Sequence, residues 1–355
     1  VFLRLVRRLR GAAMAGLKLD QVKNLGGNIS REETGEATAN YVDYFKEQDS
    51  TKRKGNYADV VNKYYDLSTS FYEYGWGESF HFAHMHKGET LNESIRRHEH
   101  YLGLKLGLKP GDKVMDLGCG VGGPLREIAY FTGAHVIGVN NNAYQVQRGK
   151  ELNKRTGKHE NCDLVKADFM QLPFEDGSFD AAYEIEATCH APDVTACYKQ
   201  IYDKLKPGGL FASYEWCLTS AYDDSNPAHR KCKLDIQLGN GLPDIRTTAE
   251  VLQALKDAGF EVLEEEDLVL TADTPWYQPI DPDRAFDFSL QALKTTRVGR
   301  NFTHYAVLAL EKIGIAPKGS VDVSSFLKVG ADALVEGGKL GIFTPMYFTI
   351  ARKKG

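Results

Sequence analysis

The chain of 355 residues has a formal net charge of −4, and 42% of its residues are hydrophobic. This length allows one large domain or two ordinary ones, and the charge balance predicts no nucleic-acid partner. The six cysteines lack C-x-x-C or zinc spacing, so we expect reduced thiols in a protein that faces the cytosol, and no metal site. No apolar run reaches the ~18 residues expected of a membrane span.

The N-terminal region, residues 1–56, is predicted to be an extension. Residues 1–10, VFLRLVRRLR, are both basic and apolar. This pattern is typical of an amphipathic helix that binds a surface or of an organelle transit peptide. A third interpretation is that translation begins at Met14 and that residues 1–13 are extra. The polar stretch that follows is predicted to be helical around Arg31–Gln48.

After an aromatic-rich stretch at Tyr57–Gly88 and a predicted helix at Leu91–Leu106, strands and helices alternate. Five strands are predicted, at Lys113–Leu117, His135–Val139, Asp163–Ala167, Phe179–Ile185 and Leu210–Trp216. Three helices are predicted between them, at Pro124–Phe131, Tyr144–Lys154 and Val194–Lys204. Such alternation is typical of a doubly wound, mostly parallel α/β sheet with helices on both faces. Ligands of these sheets bind beyond the carboxyl ends of the strands.

The remaining chain adds one helix and two strands, which brings the predicted sheet to seven strands. These elements are predicted at Thr248–Ala258, Phe260–Leu268 and Thr344–Lys353. Roughly 75 residues separate the last two strands, which is too long for a loop of a compact sheet. They contain predicted helical segments at Phe286–Thr296 and Asn301–Ile313. We therefore expect a core at residues 57–270 and a C-terminal region at 271–355 with an inserted lid or substrate subdomain.

A glycine loop follows the first strand of the core. Asp116 ends an apolar run, and Gly118, Gly120, Gly122 and Gly123 follow it before the next helix. Glycines let a backbone turn sharply and approach a ligand. Gly118, Gly120 and Gly123 fit the dinucleotide fingerprint G-x-G-x-x-G. Asp116 with the first three glycines equally fits the loop of S-adenosylmethionine methyltransferases, so the loop alone leaves two cofactors open.

Later features favour S-adenosylmethionine. Asp168 and Phe169 follow the third strand, where a carboxylate can accept the adenine amino group and a ring can lie beside the base; a helix N-cap is the alternative for Asp168. The sequence LPFEDGSFD precedes the fourth predicted strand, and KPGG precedes the fifth. This order of motifs and strands is common in S-adenosylmethionine methyltransferases and foreign to most dehydrogenases. Asn140 and Asn141 stand where an acidic residue usually binds ribose, which departs from both patterns.

Six aromatic residues crowd the segment Phe71–Phe82, FYEYGWGESFHF. They either pack against the core or form a face of π-systems over the reacting centre. Aromatic faces attract cations by roughly 0.5–2 kcal/mol each. Methyl transfer to oxygen or nitrogen leaves no carbocation, whereas methylation of an alkene carbon does.

Ionisable residues cluster after the fourth strand, in the segment YEIEATCHAP. Glu184, Glu186 and His190 lie at the carboxyl end of that strand, where a carboxylate could stabilise a cation or remove a proton. The alternatives are a helix cap for Glu186 and a hydrogen-bonded buried histidine for His190.

Together these segments resemble the sterol 24-C-methyltransferase family from about Asn56 to Arg352, with a better fit to the plant and algal branch, whose substrate is cycloartenol. The motifs are YYDLSTSFYEYGWGESFHF, DLGCGVGGPLREIA, VNNNAYQ, IEATCHAP, YEW and FTPMYF. The asparagines after the second strand are shared by this family. The resemblance implies transfer of the sulfonium methyl group to C24 of a Δ24-sterol, a cation at C25, a hydride shift and loss of a proton.

The resemblance also implies roles for residues. The cofactor would be held by Asp116, Gly118, Gly120, Gly122, Asn140, Asn141, Gln145, Asp168, Phe169 and Glu184. The reacting end would be lined by Tyr72, Glu73, Trp76 and His81, with Glu186 and His190 unassigned between cation stabilisation and deprotonation. The C-terminal segment Thr271–Gly341 would cover the sterol and dock at a membrane. The family acts at endoplasmic reticulum membranes, so a peripheral protein is expected, with a homo-oligomer as an open possibility.

Other functions stay open at this point. A methyltransferase for another amphipathic acceptor, such as a tocopherol or a phospholipid headgroup, would share the glycine loop without needing the aromatic segment. A cyclopropane synthase shares the alkene chemistry but acts on an acyl chain. A sterol-binding protein with a decayed cofactor site would need no intact loop.

Overall fold

The computed structural model describes residues 25–46, 49–157, 160–284 and 294–355. The predictions for residues 1–13 and most of the predicted helix Phe286–Thr296 lie outside this part of the chain. The strands within it are β1 (Lys113–Leu117), β2 (His135–Asn140), β3 (Cys162–Lys166), β4 (Phe179–Ile185), β5 (Leu205–Leu218), β6 (Arg246–Thr247), β7 (Glu261–Asp267) and β8 (Phe343–Arg352). The α-helices within it are α1 (Thr34–Asp43), α2 (Thr51–Gly55), α3 (Tyr57–Gly75), α4 (Leu91–Lys105), α5 (Gly123–Thr132), α6 (Ala143–Thr156), α7 (Val194–Lys204), α8 (Pro227–Asn240), α9 (Thr248–Asp257), α10 (Arg297–Lys312) and α11 (Ser320–Leu340).

The strands form one mixed sheet in the order β3-β2-β1-β4-β5-β8-β7, with β6 beside β5. Strand β8 runs antiparallel between β5 and β7, and the pairs from β3 through β5 are parallel. The strand order reverses at β1, whose neighbours are β2 and β4, so ligands are expected beyond the carboxyl end of β1. The predicted doubly wound, mostly parallel fold is confirmed. Its seven predicted strands are present, and the two-residue β6 is an eighth.

Alternate side chains of the strands enter two cores, one on each face of the sheet. Val114 packs in one core with Leu125 of α5, whereas Met115 packs in the other with Ile201 of α7. Parallel strands buried on both faces read as continuous apolar runs, which made these strands predictable, but β5 spans Leu205–Leu218 and so extends beyond the predicted Leu210–Trp216 at both ends.

A third core joins the two ends of the chain. Tyr41 of α1, Tyr64 of α3 and Phe326 of α11 pack together, with ring centroids 5.8 Å apart for Tyr41–Tyr64 and 4.9 Å apart for Tyr41–Phe326. The described part of the predicted N-terminal extension therefore shares a core with the C-terminal region.

Three long helices, α3, α8 and α11, were not predicted. Helix α3 runs through the start of the aromatic segment. Helices α8 and α11 cross where Gly239 meets Gly330, and a Cβ on Gly239 would lie 2.1 Å from the Cα of Gly330. Glycine lowers helix propensity, so the residue that permits this crossing also obscures the helix in the sequence. None of the helices in the described ranges is long and apolar enough to cross a membrane.

Candidate active site

The glycine loop turns directly after β1. Gly118, Gly120 and Gly122 have φ of 69°, 54° and 79°, a region that side chains disfavour. The backbone N–H groups of Gly118 and Cys119 donate to the carbonyl of Val139 at 2.8 and 3.2 Å, which fixes the loop to β2. A Cβ on Gly118 would lie 2.4 Å from the Cβ of Ala187. The loop is therefore a tight cradle that requires glycine.

A buried carboxyl group lies just before this loop. Asp116 is 2% exposed, and its Oδ2 atom has no hydrogen-bond partner among the described residues. Burial raises the pKa of Asp116 to about 8. A buried carboxyl with an unused acceptor at the carboxyl end of a strand fits a ligand that brings a cationic or N–H donor group.

Amide side chains form the next wall of this region. Asn140 donates from Nδ2 to the Oε1 atom of Gln145 at 2.7 Å, and Gln145 donates from Nε2 to the hydroxyl of Thr69 at 3.0 Å. Asn142 caps α6 by accepting from the backbone N–H of Gln145 at 2.8 Å. Asn141 is half-buried in the turn between β2 and α6. Thr69 and Asn142 were not predicted, and both hold predicted residues in place.

Asp168 lies in a turn after β3, and no helix begins there, so the N-cap alternative is wrong. Its Oδ1 atom accepts from the backbone N–H of Met170 at 2.8 Å, and its Oδ2 atom accepts from the hydroxyl of Tyr57. Burial and the hydrogen bond to Asp168 raise the pKa of Tyr57. Phe169 packs at the edge of the core beneath. Tyr57, the first residue of α3, was not predicted as part of this region.

A large cavity adjoins the glycine loop. It extends over about 1310 Å³ when its part open to solvent is included. Its aromatic walls are Tyr65, Phe71, Tyr72, Tyr74, Trp76, Phe80, Phe82 and Trp216. A Cβ on Gly120 would lie 3.8 Å from the Phe80 ring, so the aromatic segment covers the loop. The predicted aromatic residues therefore line one cavity beside the glycine loop, with Tyr65 and Trp216 as unpredicted members, and their place over a reacting centre stays a prediction.

Glu186 is the carboxylate of this cavity. Its Oε1 atom accepts from the backbone N–H of Phe82 at 2.6 Å, and its own N–H donates to the carbonyl of Tyr214 at 2.8 Å. It has φ of 56°, the one positive φ of a non-glycine residue in the described ranges. Burial raises the pKa of Glu186 to about 8. Left-handed backbone at such a residue costs of order 1–3 kcal/mol and is concentrated at functional sites.

His81 also lines the cavity, within a network of its own. Its Nε2 atom lies 3.1 Å from Oε1 of Glu99, which accepts from the hydroxyl of Ser79 at 2.7 Å as well. Its Nδ1 atom lies 2.7 Å from the carbonyl of Phe82. Burial opposes protonation, yet the hydrogen bond and charge of Glu99 outweigh it and the pKa of His81 is raised. Both ring nitrogens face acceptors, as a protonated imidazole requires.

His190 has the opposite environment. Its Nδ1 atom donates to the carbonyl of Gly241 at 3.1 Å, so its Nε2 atom accepts from the hydroxyl of Tyr65 at 2.9 Å. Burial lowers the pKa of His190 to about 4. It is therefore a neutral histidine with both nitrogens in hydrogen bonds.

Two predicted carboxylates lie elsewhere. Glu73 pairs with Arg148 of α6 at 2.9 Å instead of lining the cavity, because α3 turns this side chain toward α6. Glu184 is fully buried and accepts from the backbone N–H groups of Ala187 and Thr188 at 2.8 and 3.2 Å. Burial and the charge of Glu215 raise the pKa of Glu184 well above its usual range. Its position supports the turn between β4 and the cavity.

The C-terminal helices close the cavity with polar side chains. Thr303 and His304 project from α10, and Ser324 and Lys328 from α11. None of these four residues was predicted, because no local motif marks them. The cavity thus combines aromatic walls and Glu186 with polar side chains from two helices.

Two family models match parts of this chain. The family model for the methyltransferase domain matches residues 115–213, and that for the sterol methyltransferase C-terminal region matches residues 290–354. Cycloartenol-C-24-methyltransferase 1 of Oryza sativa subsp. japonica is 58% identical over 94% of this chain and 97% of the rice protein. Cycloartenol-C-24-methyltransferase of Arabidopsis thaliana is 56% identical over 94% of this chain and 99% of that protein.

Solved structures resemble the fold at low identity. Cyclopropane synthase MmaA2 from Mycobacterium tuberculosis matches 83% of this chain and 98% of its own, with a TM-score of 0.65 and 17% identity. Geranyl diphosphate C-methyltransferase from Streptomyces coelicolor, solved with S-adenosyl-L-homocysteine, matches 84% and 98%, with a TM-score of 0.60 and 17% identity. These likenesses establish the shared fold.

Proposed function

Because this chain belongs to the sterol 24-C-methyltransferase family, at 56–58% identity to plant members, we propose that it methylates C24 of a Δ24-sterol, with cycloartenol as the first substrate. S-adenosylmethionine is the methyl donor. The observation that carries the proposal is the large aromatic cavity that adjoins the glycine loop and holds Glu186.

The donor site is proposed to be the cradle formed by the glycine loop and its polar neighbours. When bound, S-adenosylmethionine supplies an electrophilic methyl group. The glycines leave room for its close approach, and the unused Oδ2 atom of Asp116 is suited to its ammonium group. Asn140, Gln145 and Asp168 would bind the nucleoside, and Tyr57 would hold Asp168 in place.

The aromatic walls are proposed to stabilise the charge that forms on the substrate. The π electrons of the C24–C25 double bond would form the bond to the methyl carbon, while the bond from that carbon to sulfur breaks and its electron pair stays on sulfur. A positive charge is left on C25. Tyr72, Trp76 and Phe82 line the cavity, and each ring face can contribute ~0.5–2 kcal/mol toward a cation. Phe82 is buried, and Tyr72 and Trp76 are half-buried, so the bound sterol would complete the exclusion of the water that would trap the cation.

Glu186 is proposed as the group that accepts the final proton. After a hydride moves from C24 to C25, the transferred carbon loses a proton, and its C–H electrons form the 24-methylene double bond. Burial is the main cause that raises the pKa of Glu186 to about 8, and a cation in the cavity would favour its ionised form. His190 is less suited to accept the proton, because its Nε2 lone pair already accepts a hydrogen bond from the Tyr65 hydroxyl.

The polar side chains that α10 and α11 contribute to the cavity are proposed to bind the 3-hydroxyl group of the sterol. Thr303, His304 and Ser324 offer donors and acceptors there, whereas the remaining sterol surface is apolar and needs none. This orientation places the sterol side chain at Glu186 and the ring system beneath α10 and α11.

We further propose that the protein works at the surface of the endoplasmic reticulum. A Δ24-sterol resides in a bilayer, so a protein that methylates it needs access to one. Self-association into a homo-oligomer stays a prediction.

The decisive experiment gives the purified chain labelled S-adenosylmethionine and single sterols, and identifies products by mass spectrometry. We expect a 24-methylene or 24-methyl sterol from cycloartenol. No methylated product from cycloartenol, lanosterol or zymosterol would refute the proposal. Label in a tocopherol, a phospholipid headgroup or an acyl chain would support the other acceptors.

A further inference from the structure

Helix α10 exposes an apolar stripe to solvent. Val298, Phe302, Tyr305, Ala309 and Ile313 lie three or four residues apart, which places them on one side of the helix. The exposed fractions are 77% for Val298, 59% for Phe302 and 67% for both Tyr305 and Ile313. We call these five residues the outer stripe. A surface helix ordinarily turns its apolar side inward, so this exposure calls for a partner.

The opposite side of α10 belongs to the cavity. Gly299 and Val307 are buried toward α11, and Thr303 and His304 line the cavity between the two helices. One helix therefore separates the proposed sterol site from the surface that carries the outer stripe. Whatever covers the stripe lies within one helix diameter of the sterol site.

Cationic side chains lie at both ends of the outer stripe. Arg297 is exposed where α10 begins, and Lys312 and Lys318 are exposed where it ends. Lys328 of α11 is exposed as well and lines the cavity. The acidic neighbours have partners of their own: Asp283 pairs with Arg297 at 2.6 Å, Asp332 of α11 pairs with Arg300 at 2.6 Å, and Glu311 accepts from the backbone N–H of Val321 at 2.9 Å. Apolar residues flanked by lysine and arginine are typical of helices that lie in the interface of an anionic bilayer.

We propose that the outer stripe docks this protein on a phospholipid bilayer with anionic headgroups, with α10 lying in the plane of the interface. The proposal rests on the proposed function, since it names the partner that would deliver the sterol to the same cavity. With α10 in the interface, the space between α10 and α11 faces the bilayer that holds the substrate. A sterol then moves from lipid to cavity without crossing water.

The test measures binding of the full chain to vesicles of phosphatidylcholine and phosphatidylserine by co-sedimentation, without donor or sterol. The test variant combines Phe302→Glu with Tyr305→Glu. The matched control combines Leu104→Glu with Tyr130→Glu, which are 67% and 72% exposed on α4 and α5. We expect at least a tenfold loss of vesicle affinity for the test variant, about 1.4 kcal/mol, and none for the control. Equal affinities of the test variant and the unmodified chain, or equal losses in both variants, would overturn the proposal.

Turnover separates this proposal from the proposed function. With cycloartenol delivered by cyclodextrin, the test variant should keep the turnover of the unmodified chain, whereas with cycloartenol in vesicles its turnover should fall with its binding. No turnover of any sterol by the unmodified chain would refute the proposed function, and vesicle binding would still report on the stripe. If the test variant instead converts a dimer to a monomer in light scattering and binds vesicles normally, the stripe contacts a second copy and the bilayer proposal fails.

Discussion

The carboxylate of Glu186 accepts a hydrogen bond of 2.6 Å from the backbone N–H of Phe82. This contact ties the end of β4 to the aromatic segment across 104 residues of sequence. It holds the carboxylate against the rings that would surround a carbocation. The left-handed backbone of Glu186 is part of the same arrangement, since it directs the side chain from the strand end into the cavity.

Glu186→Gln should leave binding of S-adenosylmethionine intact and reduce kcat by about 10²–10⁴-fold. The amide can still accept from the Phe82 N–H, so the cavity should keep its shape, but it accepts a proton poorly. Isothermal titration and single-turnover kinetics check the two parts. Glu93→Gln, an exposed capping-box change on α4, is a control that should affect neither. An unchanged kcat in Glu186→Gln would remove Glu186 from the mechanism.

Tyr65→Phe distinguishes Glu186 from His190 as the base. The change removes the hydroxyl that donates to Nε2 of His190 and leaves that buried acceptor unpaired, at a cost of about 1–3 kcal/mol in unfolding free energy. If Glu186 accepts the proton, kcat should stay within about threefold while the melting temperature falls. A loss of kcat as large as that of Glu186→Gln would instead favour a relay through Tyr65 to His190.

Much of the proposed donor site can be located from the sequence because its residues are local to strand ends. The glycine loop, Asn140, Gln145 and Asp168 lie at strand ends whose apolar runs mark them. Contacts made across the fold were not predictable: Tyr57 meets Asp168 across 111 residues and Tyr65 meets His190 across 125. The sequence around Tyr57 and Tyr65 is rich in aromatic residues, but it does not indicate which distant residue either hydroxyl contacts.

The predicted role of Glu73 shows another limit. The resemblance placed it at the reacting end, but neighbours in a segment do not share a direction once the segment is helical. Tyr72 lines the cavity, and its hydroxyl forms a hydrogen bond of 2.7 Å with the hydroxyl of Tyr64. Glu73, the next residue, pairs with Arg148. The helical period of α3 separates the two by about 100°.

Trp76→Leu should reduce kcat more than Trp76→Phe does. Trp76 meets the Phe82 ring edge to face at 4.9 Å and lines the cavity. Leucine keeps apolar bulk but has no π face, so a loss of ~1–2 kcal/mol toward the cation predicts a five- to thirtyfold lower kcat. The KM for S-adenosylmethionine should not change in either variant. Equal kcat values for Leu and Phe would argue that Trp76 only fills space.

Gly118→Ala should lower both stability and donor binding. Its positive φ and the Cβ placed 2.4 Å from Ala187 force the loop to move, which we expect to cost about 2 kcal/mol or more. Gly111→Ala is the matched control, because Gly111 also has positive φ but its Cβ would meet nothing within 4 Å. Urea unfolding and isothermal titration should show a larger loss for Gly118→Ala in both measurements. Similar losses in the two variants would mean that the close contact with Ala187 contributes little.

The stability of the protein should fall with rising pH, in part because of Glu186. Its pKa is raised from 4.5 to about 8 in the folded state by burial, so between these values the folded state binds the proton that the unfolded state has released. The free energy of unfolding then decreases as pH rises through this window.

His190 acts in the opposite direction at lower pH. Its folded pKa of about 4 lies below the ordinary 6.5, so the free energy of unfolding rises with pH between these two values. Glu186→Gln removes the first effect and keeps the second. Urea unfolding should therefore show that, between about pH 6 and pH 8, the free energy of unfolding falls less in the variant than in the unmodified chain, by on the order of 1–3 kcal/mol. An equal fall in both proteins would show that the Glu186 carboxyl is ionised without cost in the folded protein.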